Sequence, residues 1–322
     1  MAMPMPSSSS PPPPPPPVAG AASEASDAAG TDILLSLLPE ILDDILTRLP
    51  LKEVVRTCCL SRGWARRWES ASGLDVRFRG FYSAGVVSGV LARCAAPVAS
   101  FDIEVRPRLR PRAAYWLRAL AEKRVRSLQL AFGSSRADEP GVFPGVGRAI
   151  YACAELSDLY LRYCEVPRPP PPQPGQGTLF AGFPRLTRLA LNSVKLPFTG
   201  AGALLERVIA GAPDLADLLL VDVTTGVVAG GEKKVEEERE PWVIRAPKLH
   251  SLTLWTAVDN GGRVAGELPL LNVANISVDS FLGTEDFLDT LWLVSRVKVL
   301  KFSVRDRENL GLLGVGCASH CI

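Results

Sequence analysis

The sequence predicts an α/β fold in which a small all-helical unit is followed by a solenoid of parallel strands. Apolar residues between Leu38 and Trp68 recur at helical spacing. Further along the chain, the pattern apolar-x-x-apolar-x-apolar returns eight times, at intervals of about 20 to 35 residues. With 322 residues and 47% apolar content, the chain has enough material for at least two structural units.

The helical unit is predicted at residues 31–72. Pro39 suits the first turn of a helix that ends before Pro50. A second amphipathic run covers residues 51–60, and Trp64 and Trp68 follow at four-residue spacing. Three short helices cannot bury this much apolar surface among themselves, so we expect one face of the unit to contact a partner.

This ordered set of residues resembles the F-box. The resemblance implies docking on a Skp-type adaptor and, through it, on the cullin and RING subunits of a ubiquitin ligase. One departure is Gly63, where relatives often carry a basic residue, and we expect local fraying there. The positions that the resemblance implies as adaptor-binding are Leu38, Pro39, Ile41, Leu42, Ile45, Leu46, Leu49, Pro50, Val54, Val55, Leu60 and Trp64.

The repeated pattern is typical of irregular leucine-rich repeats, with one short strand in each unit. Its first residues are Val98, Val125, Leu156, Leu186, Leu215, Leu249, Leu271 and Val297. Helices are predicted between strands at residues 115–122, 146–154, 201–210 and 285–294. Right-handed crossovers then place the parallel strands on the concave side of a curved solenoid.

Residues 73–322 therefore form the predicted repeat domain. It resembles the leucine-rich-repeat domain of plant F-box proteins, including the Ala-Pro-x-Leu openings at 212–215 and 246–249. The resemblance implies that the repeats bind a protein substrate. Residues between the inward leucines should face the exposed side of the sheet. The candidates on that side are Tyr160, Arg162, Arg188, Asn192, Thr253 and Trp255.

Three segments interrupt or flank this architecture. Residues 1–30 carry seven consecutive prolines at 11–17 and are predicted to be a disordered Ser/Pro-rich tail. Insertions at 167–178, which is proline-rich, and at 230–240, which is highly charged, are predicted to be loops. The chain stops soon after the last repeat without a polar capping repeat, so we expect a frayed, truncated or spliced C-terminus.

Composition narrows the function classes. The charge is nearly balanced, at +2, which argues against a general nucleic-acid binder. The densest basic cluster, at residues 106–112, is interpreted as a solvated loop, with nuclear import or phosphate binding as the alternatives. No apolar run reaches the length that a membrane span needs.

The seven cysteines show no C-x-x-C spacing, which favours free thiols in the reducing environment of the nucleus and/or cytoplasm. Cys164 is predicted to be a buried turn residue. Cys317, His320 and Cys321 lack a fourth ligand, so no metal site is expected, and no cofactor. The two histidines, His250 and His320, belong to no catalytic motif.

These observations favour a non-enzymatic substrate-recognition subunit of an SCF-type cullin-RING ubiquitin ligase. One alternative is a repeat scaffold that works without a ligase, its helical unit serving as a cap. Another is a repeat domain that encloses a small ligand, which would require a preformed pocket on the concave face.

Overall fold

The N-terminal unit is helical, as predicted. A computed structural model describes residues 36–133, 145–171, 180–226, 240–256, 262–264, 267–278 and 294–304. The N-terminal unit contains the helices α1 (Pro39–Thr47), α2 (Leu51–Arg56) and α3 (Arg67–Ser70). A short 3-10 helix at Thr57–Cys59 extends α2. Pro39 is at the start of α1 and Pro50 is the N-cap residue of α2. At these positions a backbone N–H has no acceptor within the helix, so its absence in proline does not destabilise the helix.

The chain leaves helical geometry around Gly63, where fraying was expected. Residues 62–66 form turns between the 3-10 helix and α3. Trp64 and Trp68 are nevertheless buried, and the Arg93 guanidinium lies 5.0 Å from the centroid of the Trp68 ring. The two tryptophans thus fix a segment that glycine alone would leave loose.

The repeat domain contains a long parallel sheet. In the order in which neighbours are hydrogen-bonded across the sheet, its strands are β1 (Leu74–Phe78), β2 (Val98–Val105), β3 (Ser127–Phe132), β4 (Asp158–Glu165), β5 (Arg188–Leu196), β6 (Asp217–Val221), β9 (Ser251–Thr256), β11 (Val273–Val278) and β12 (Val299–Val304). The strand β7 (Thr224–Thr225) pairs with β5, and β8 (Trp242–Ile244) pairs with β10 (Gly262–Val264) in a separate small sheet. The eight predicted repeat strands are all present. The strand β1 was not predicted, although Leu74, Val76 and Phe78 alternate as a half-buried strand requires.

The core lies on one side of this sheet. Leu159 aligns with Leu128 and Leu189 on the neighbouring strands, and Leu161 aligns with Leu130 and Leu191. These leucines are all buried. Each one contributes roughly 1.5 to 3 kcal/mol of hydrophobic free energy on burial. The pattern that predicted the strands therefore also predicted their inner face.

Helices between the strands cover that inner face. They are α4 (Ala84–Arg93), α5 (Arg110–Glu122), α6 (Ala201–Ala210) and 3-10 helices at Pro107–Leu109 and Arg148–Ala152. Helix α6 has the predicted bounds and ends before Gly211. The helix expected at 146–154 is shorter and of 3-10 type. The one expected at 285–294 falls almost wholly outside the described residues.

The basic cluster at residues 106–112 is not a loop, so this prediction was wrong. The chain forms the 3-10 helix there and continues into α5, which begins at Arg110. Pro107 and Pro111 misled the interpretation because proline suggests a loop, yet both occupy the first turn of a helix, where proline is well tolerated.

Three neighbouring strands have a left-handed residue at corresponding positions, inside β4 and β5 and directly after β6. Tyr163, Ser193 and Asp222 have φ angles of 52°, 50° and 48° and follow corresponding positions of β4, β5 and β6. Because each left-handed residue turns the backbone, the next side chain points inward. Those next residues, Cys164, Val194 and Val223, are buried. Cys164 is buried as predicted, but it lies within β4 rather than in a turn.

Several predicted features lie outside the described residues. They include the tail at 1–30, the metal-ligand candidates Cys317, His320 and Cys321, the part of the first insertion at 172–178 and all of the second insertion except Glu240. Within the described ranges no helix is long and apolar enough to cross a membrane. The same part of the chain contains no cluster of three or more potential metal ligands.

Candidate functional site

The helical unit packs one face against the first strand of the sheet. Leu42, Leu46, Val54 and Trp64 are buried together with Leu74 and Val76 of β1, in a core that runs on into the repeats. Four of the twelve positions predicted to bind the adaptor thus pack inside the protein. Helical periodicity cannot separate them from the exposed positions, because both sets form apolar stripes on the same short helices.

A polar contact fixes α1 against α3. The Nη2 atom of Arg67 donates to the carbonyl oxygen of Pro39 and to Oδ1 of Asp43, both at 2.9 Å. Each side chain of this ion pair is about a quarter exposed, at 23% and 25%. Partial burial limits solvent screening of the pair, so it holds the first turn of α1 more firmly than a surface ion pair would.

The other side of the helical unit carries apolar side chains in contact with solvent. We define the exposed apolar face as Leu38, Ile41, Ile45, Val55 and Leu60, which are 65%, 44%, 38%, 36% and 61% exposed. The first three lie three and four residues apart, so they share one face of α1. Pro39 and Pro50 are also exposed, and Leu49 is half-buried. A cluster of this kind is typical of a protein-interaction surface.

Two ion pairs lie on the same helices as this face. Arg48 pairs with Asp44 at 2.7 Å, and Arg56 pairs with Glu53 at 2.9 Å. Both pairs are exposed and contribute little to stability. The charges within each pair cancel, so neither pair adds net charge beside the exposed apolar face.

The six residues predicted to bind substrate all lie on the outer face of the sheet. Across neighbouring strands, Tyr160 aligns with Ala190 and Arg162 aligns with Asn192. Thr253 aligns with Leu219, and Trp255 with Val221. The strand β6 therefore separates a β4–β5 group from a β9 group, at roughly 10 Å between β5 and β9.

The two arginines of this set have different surroundings. Arg188 forms an ion pair with Asp158, its neighbour in register, so its charge is matched. Arg162 is exposed, and its guanidinium lies 5.0 Å from the Tyr163 ring centroid. Arg162 is therefore better placed than Arg188 to bind an incoming group.

Two exposed apolar residues at the other end of the same face were not predicted. They are Val273 and Val299, which are 36% and 44% exposed, and Leu270 in the turn before β11 is 45% exposed. Val273 aligns with Ser251 and with Val299 across the strands. The available signal was valine at a position where most other repeats carry a polar residue.

A small apolar cavity lies on the inner side of the sheet, not on its outer face. Its volume is about 40 Å³, and its lining includes Tyr151, Leu161, Phe183, Leu191 and Leu205. A drug-sized ligand needs several hundred Å³. This cavity therefore does not supply the pocket that the small-ligand hypothesis requires.

Two family models match the chain. The F-box domain model matches residues 34–73, the segment that carries the exposed apolar face. The model for the repeats of FBD-associated F-box proteins, described as "FBD-associated F-box protein At5g56370, LRR repeats", matches residues 113–265. The chain is an F-box protein with leucine-rich repeats.

A curated relative has the same two parts. This F-box/leucine-rich-repeat protein is 26% identical over 209 residues to the F-box/FBD/LRR-repeat protein At1g13570 of Arabidopsis thaliana. The similar region covers 59% of the chain and 44% of the relative, so the chain matches less than half of that protein's length. Together with the repeat model, this relative places the F-box/leucine-rich-repeat protein among those of plant type.

Proposed function

We propose that this protein is the substrate-recognition subunit of an SCF-type cullin-RING ubiquitin ligase. The exposed apolar face of the F-box carries the proposal. In an F-box this face would dock on a Skp-type adaptor, which links the chain to the cullin and RING subunits. Proteins that combine an F-box with leucine-rich repeats are generally adaptors rather than enzymes. Their role is to raise the effective concentration of a substrate near the transfer machinery.

The outer face of the sheet is proposed to bind the substrate. Tyr160, Arg162 and Trp255 are the residue types that dominate protein-binding hot spots. The apolar Ala190 and Leu219 lie on that face beside them. A protein segment laid across β4 to β9 would contact both groups at once.

The adaptor assignment is tested by an Ile41→Ala/Ile45→Ala/Leu60→Ala variant. All three residues are exposed, so the fold should keep its melting temperature. Loss of three apolar contacts should weaken co-purification with a Skp-type adaptor by at least tenfold, since each well-packed contact contributes about 1 kcal/mol or more. Binding is measured by calorimetry or by pull-down from co-expressing cells.

A Leu42→Ala variant is the matched control. Leu42 is buried, so its truncation should destabilise the fold by about 2 to 5 kcal/mol without removing a contact at the exposed apolar face. If the triple variant retains full adaptor affinity, the ligase assignment fails.

A second candidate function is a repeat scaffold that works without a ligase. The packing of α1 and α2 on β1 favours it, because this contact closes the first edge of the repeat core in the way that a capping unit does. A chain that binds no Skp-type adaptor, yet needs residues 36–72 for solubility, would be a scaffold of this kind.

A further inference from the structure

We infer that the apolar cavity on the inner side of the sheet binds a free apolar molecule of about three non-hydrogen atoms. The cavity lies between β4, β5, α6 and the 3-10 helix at Arg148–Ala152. It is on the opposite side of the sheet from the residues proposed to contact the substrate. This site is therefore distinct from the outer face, and its ligand does not depend on the proposed function.

The cavity exists because one crossover lacks a helix over the leucine rows. The crossovers into β3 and β6 cover the inner face with α5 and α6, which have 13 and 10 residues. In the crossover from β4 to β5, the described residues 166–171 and 180–187 contain no helix. Four of the five residues at 167–171 are prolines, which a helix interior does not accept. The inward leucines of β4 and β5 therefore face a space between the 3-10 helix and α6.

Three aromatic rings fill part of this space. The ring centroid of Phe180 lies 4.8 Å from that of Tyr151 and 5.1 Å from that of Phe183, and both contacts are edge-on. Rings locked in edge-on contact cannot turn to fill the remaining space, so a volume of about 40 Å³ stays open. Protein interiors contain few voids larger than a water molecule, which makes this one unusual.

The walls of the cavity are fixed, so a small shift cannot close it. The Tyr151 hydroxyl donates to the carbonyl oxygen of Pro167 at 2.6 Å, and Nη1 of Arg207 donates to the carbonyl oxygen of Phe180 at 3.3 Å. Gly182, with a φ angle of 104°, already lies against α6. A Cβ atom at this position would be 3.0 Å from the carbonyl oxygen of Arg207. The crossover therefore cannot move closer to α6.

The chemistry of the lining selects an apolar ligand. The lining side chains are aliphatic or aromatic, and their one hydroxyl, that of Tyr151, is bonded to Pro167. Burial raises the pKa of this hydroxyl, so it stays uncharged. A buried water needs roughly two to four polar partners, which this lining does not supply. Dry apolar cavities bind apolar solutes instead.

Size and access narrow the class of ligand. One water fills roughly 10 to 15 Å³ of such a cavity, so 40 Å³ is the space of about three non-hydrogen atoms. Benzene enters an apolar cavity of about 150 Å³. Val166 and Val208, each 8% exposed, are the least buried of the lining aliphatic side chains, so the cavity comes closest to solvent beside them. Xenon and cyclopropane should therefore enter, and benzene should not.

Binding is measured by methyl NMR of the purified full chain under increasing xenon pressure. We expect saturable shifts for the methyl groups of Leu161, Leu191 and Leu205, which line the cavity. The methyl groups of Leu128 and Leu130 should not shift, because these leucines belong to the same inward rows but lie outside the cavity. Cyclopropane should shift the same methyl groups as xenon. Benzene, which is too large, and methanol, which is polar, should not.

Substitutions that change the cavity volume test the site directly. Val208→Leu adds a methylene group to the lining and should lower the xenon affinity by about tenfold or more. Val86→Leu is the matched control, since it makes the same change at an exposed position on α4 and should bind xenon as the wild type does. Leu204→Ala removes part of the lining and should admit benzene.

Three outcomes would overturn the inference: equal shifts at Leu128 and Leu161, benzene binding to the wild type as tightly as xenon, or full xenon affinity in a folded Val208→Leu protein. If Val208→Leu does not fold, the wild-type methyl shifts and the size series from xenon to benzene still decide between binding and no binding. Neither adaptor nor substrate enters the assay, so its result is independent of the ligase assignment.

Discussion

Burial decides the chemistry of the cysteines in the repeat domain. Cys94, Cys153 and Cys164 are buried on the inner side of the sheet, whereas Cys59 in the F-box is exposed. Burial raises the pKa of all three inner thiols, and that of Cys153 reaches about 12 from an ordinary value of 9.0. Desolvation of the thiolate is the main cause in each case. These side chains therefore act as small apolar groups, and none is suited to nucleophilic chemistry.

The raised pKa values predict loss of stability in alkali. Between pH 9 and pH 12 the unfolded chain releases the Cys153 proton while the folded chain keeps it, so the free energy of unfolding falls as pH rises. The slope for one thiol is at most about 1.4 kcal/mol per pH unit. Urea unfolding at a series of pH values measures it, and a Cys153→Ala variant should show a shallower slope. Equal slopes in the two proteins would mean that Cys153 ionises freely in the folded state.

At the scale of single elements, helix α6 depends on a residue distant in sequence. The Glu240 carboxylate accepts hydrogen bonds from the backbone N–H of Gly200 at 2.6 Å and of Gly202 at 3.0 Å. These are free donors of the first helical turn, and a negative charge there is also favoured by the helix macrodipole. Glu240 thus caps the N-terminus of α6, a role that a residue close in sequence has in most helices. It also fixes the point at which the charged insertion rejoins the fold.

Replacement of Glu240 by alanine should therefore destabilise the protein by about 0.5 to 2 kcal/mol, the usual cost of losing an N-cap. Chemical unfolding gives this value directly. Glu122→Ala is the control, because Glu122 is an exposed residue at the other end of a helix, the last turn of α5. Similar losses in both variants would show that charge removal, rather than capping, is responsible.

Helices and strands could be predicted where apolar periodicity and terminating residues indicate the same bounds. The bounds of α6 follow from its apolar periodicity and from Gly211, and the eight repeat strands follow from their leucines. The cap supplied by Glu240 could not be predicted, since it joins Glu240 to Gly200, forty positions earlier in the sequence. Nor could the left-handed Tyr163, because its type disfavours that conformation, and the fold imposes it at a cost of roughly 1 to 2 kcal/mol. Pro107 and Pro111 suggested a loop, but each lies in the first turn of a helix.

At the scale of the whole molecule, the F-box and the repeats share one core. Leu46 and Trp68 of the helical unit belong to the same buried cluster as the leucines of β3 to β9. This arrangement leaves two outward surfaces at fixed positions on one body: the exposed apolar face and the outer face of the sheet. In the proposed ligase, a rigid connection of this kind would hold the substrate at a set distance from the adaptor.

The candidate site was predictable in part. The repeat pattern identified which residues lie on the outer face, because side chains alternate along a strand. The spacing between Tyr160 and Trp255 could not be predicted, since it depends on how strands pair across insertions of irregular length. The helical pattern likewise marked the apolar residues of the F-box. It did not distinguish Leu42, which is buried against β1, from Ile41, which is exposed, because that difference arises from tertiary packing.

Alanine variants of Tyr160 and Trp255 test whether the outer face recognises the substrate. Both side chains are half-buried on that face, outside the buried leucine rows, so their truncation should leave the circular dichroism spectrum and adaptor binding unchanged. Each should reduce the recovery of proteins that co-purify with the chain when the proteasome is inhibited, as measured by quantitative mass spectrometry. A Lys301→Ala variant, exposed on the distant strand β12, should recover them normally. If Tyr160→Ala and Trp255→Ala instead unfold the repeats, these rings serve the core. If they fold and recover every partner, the substrate binds elsewhere on the protein.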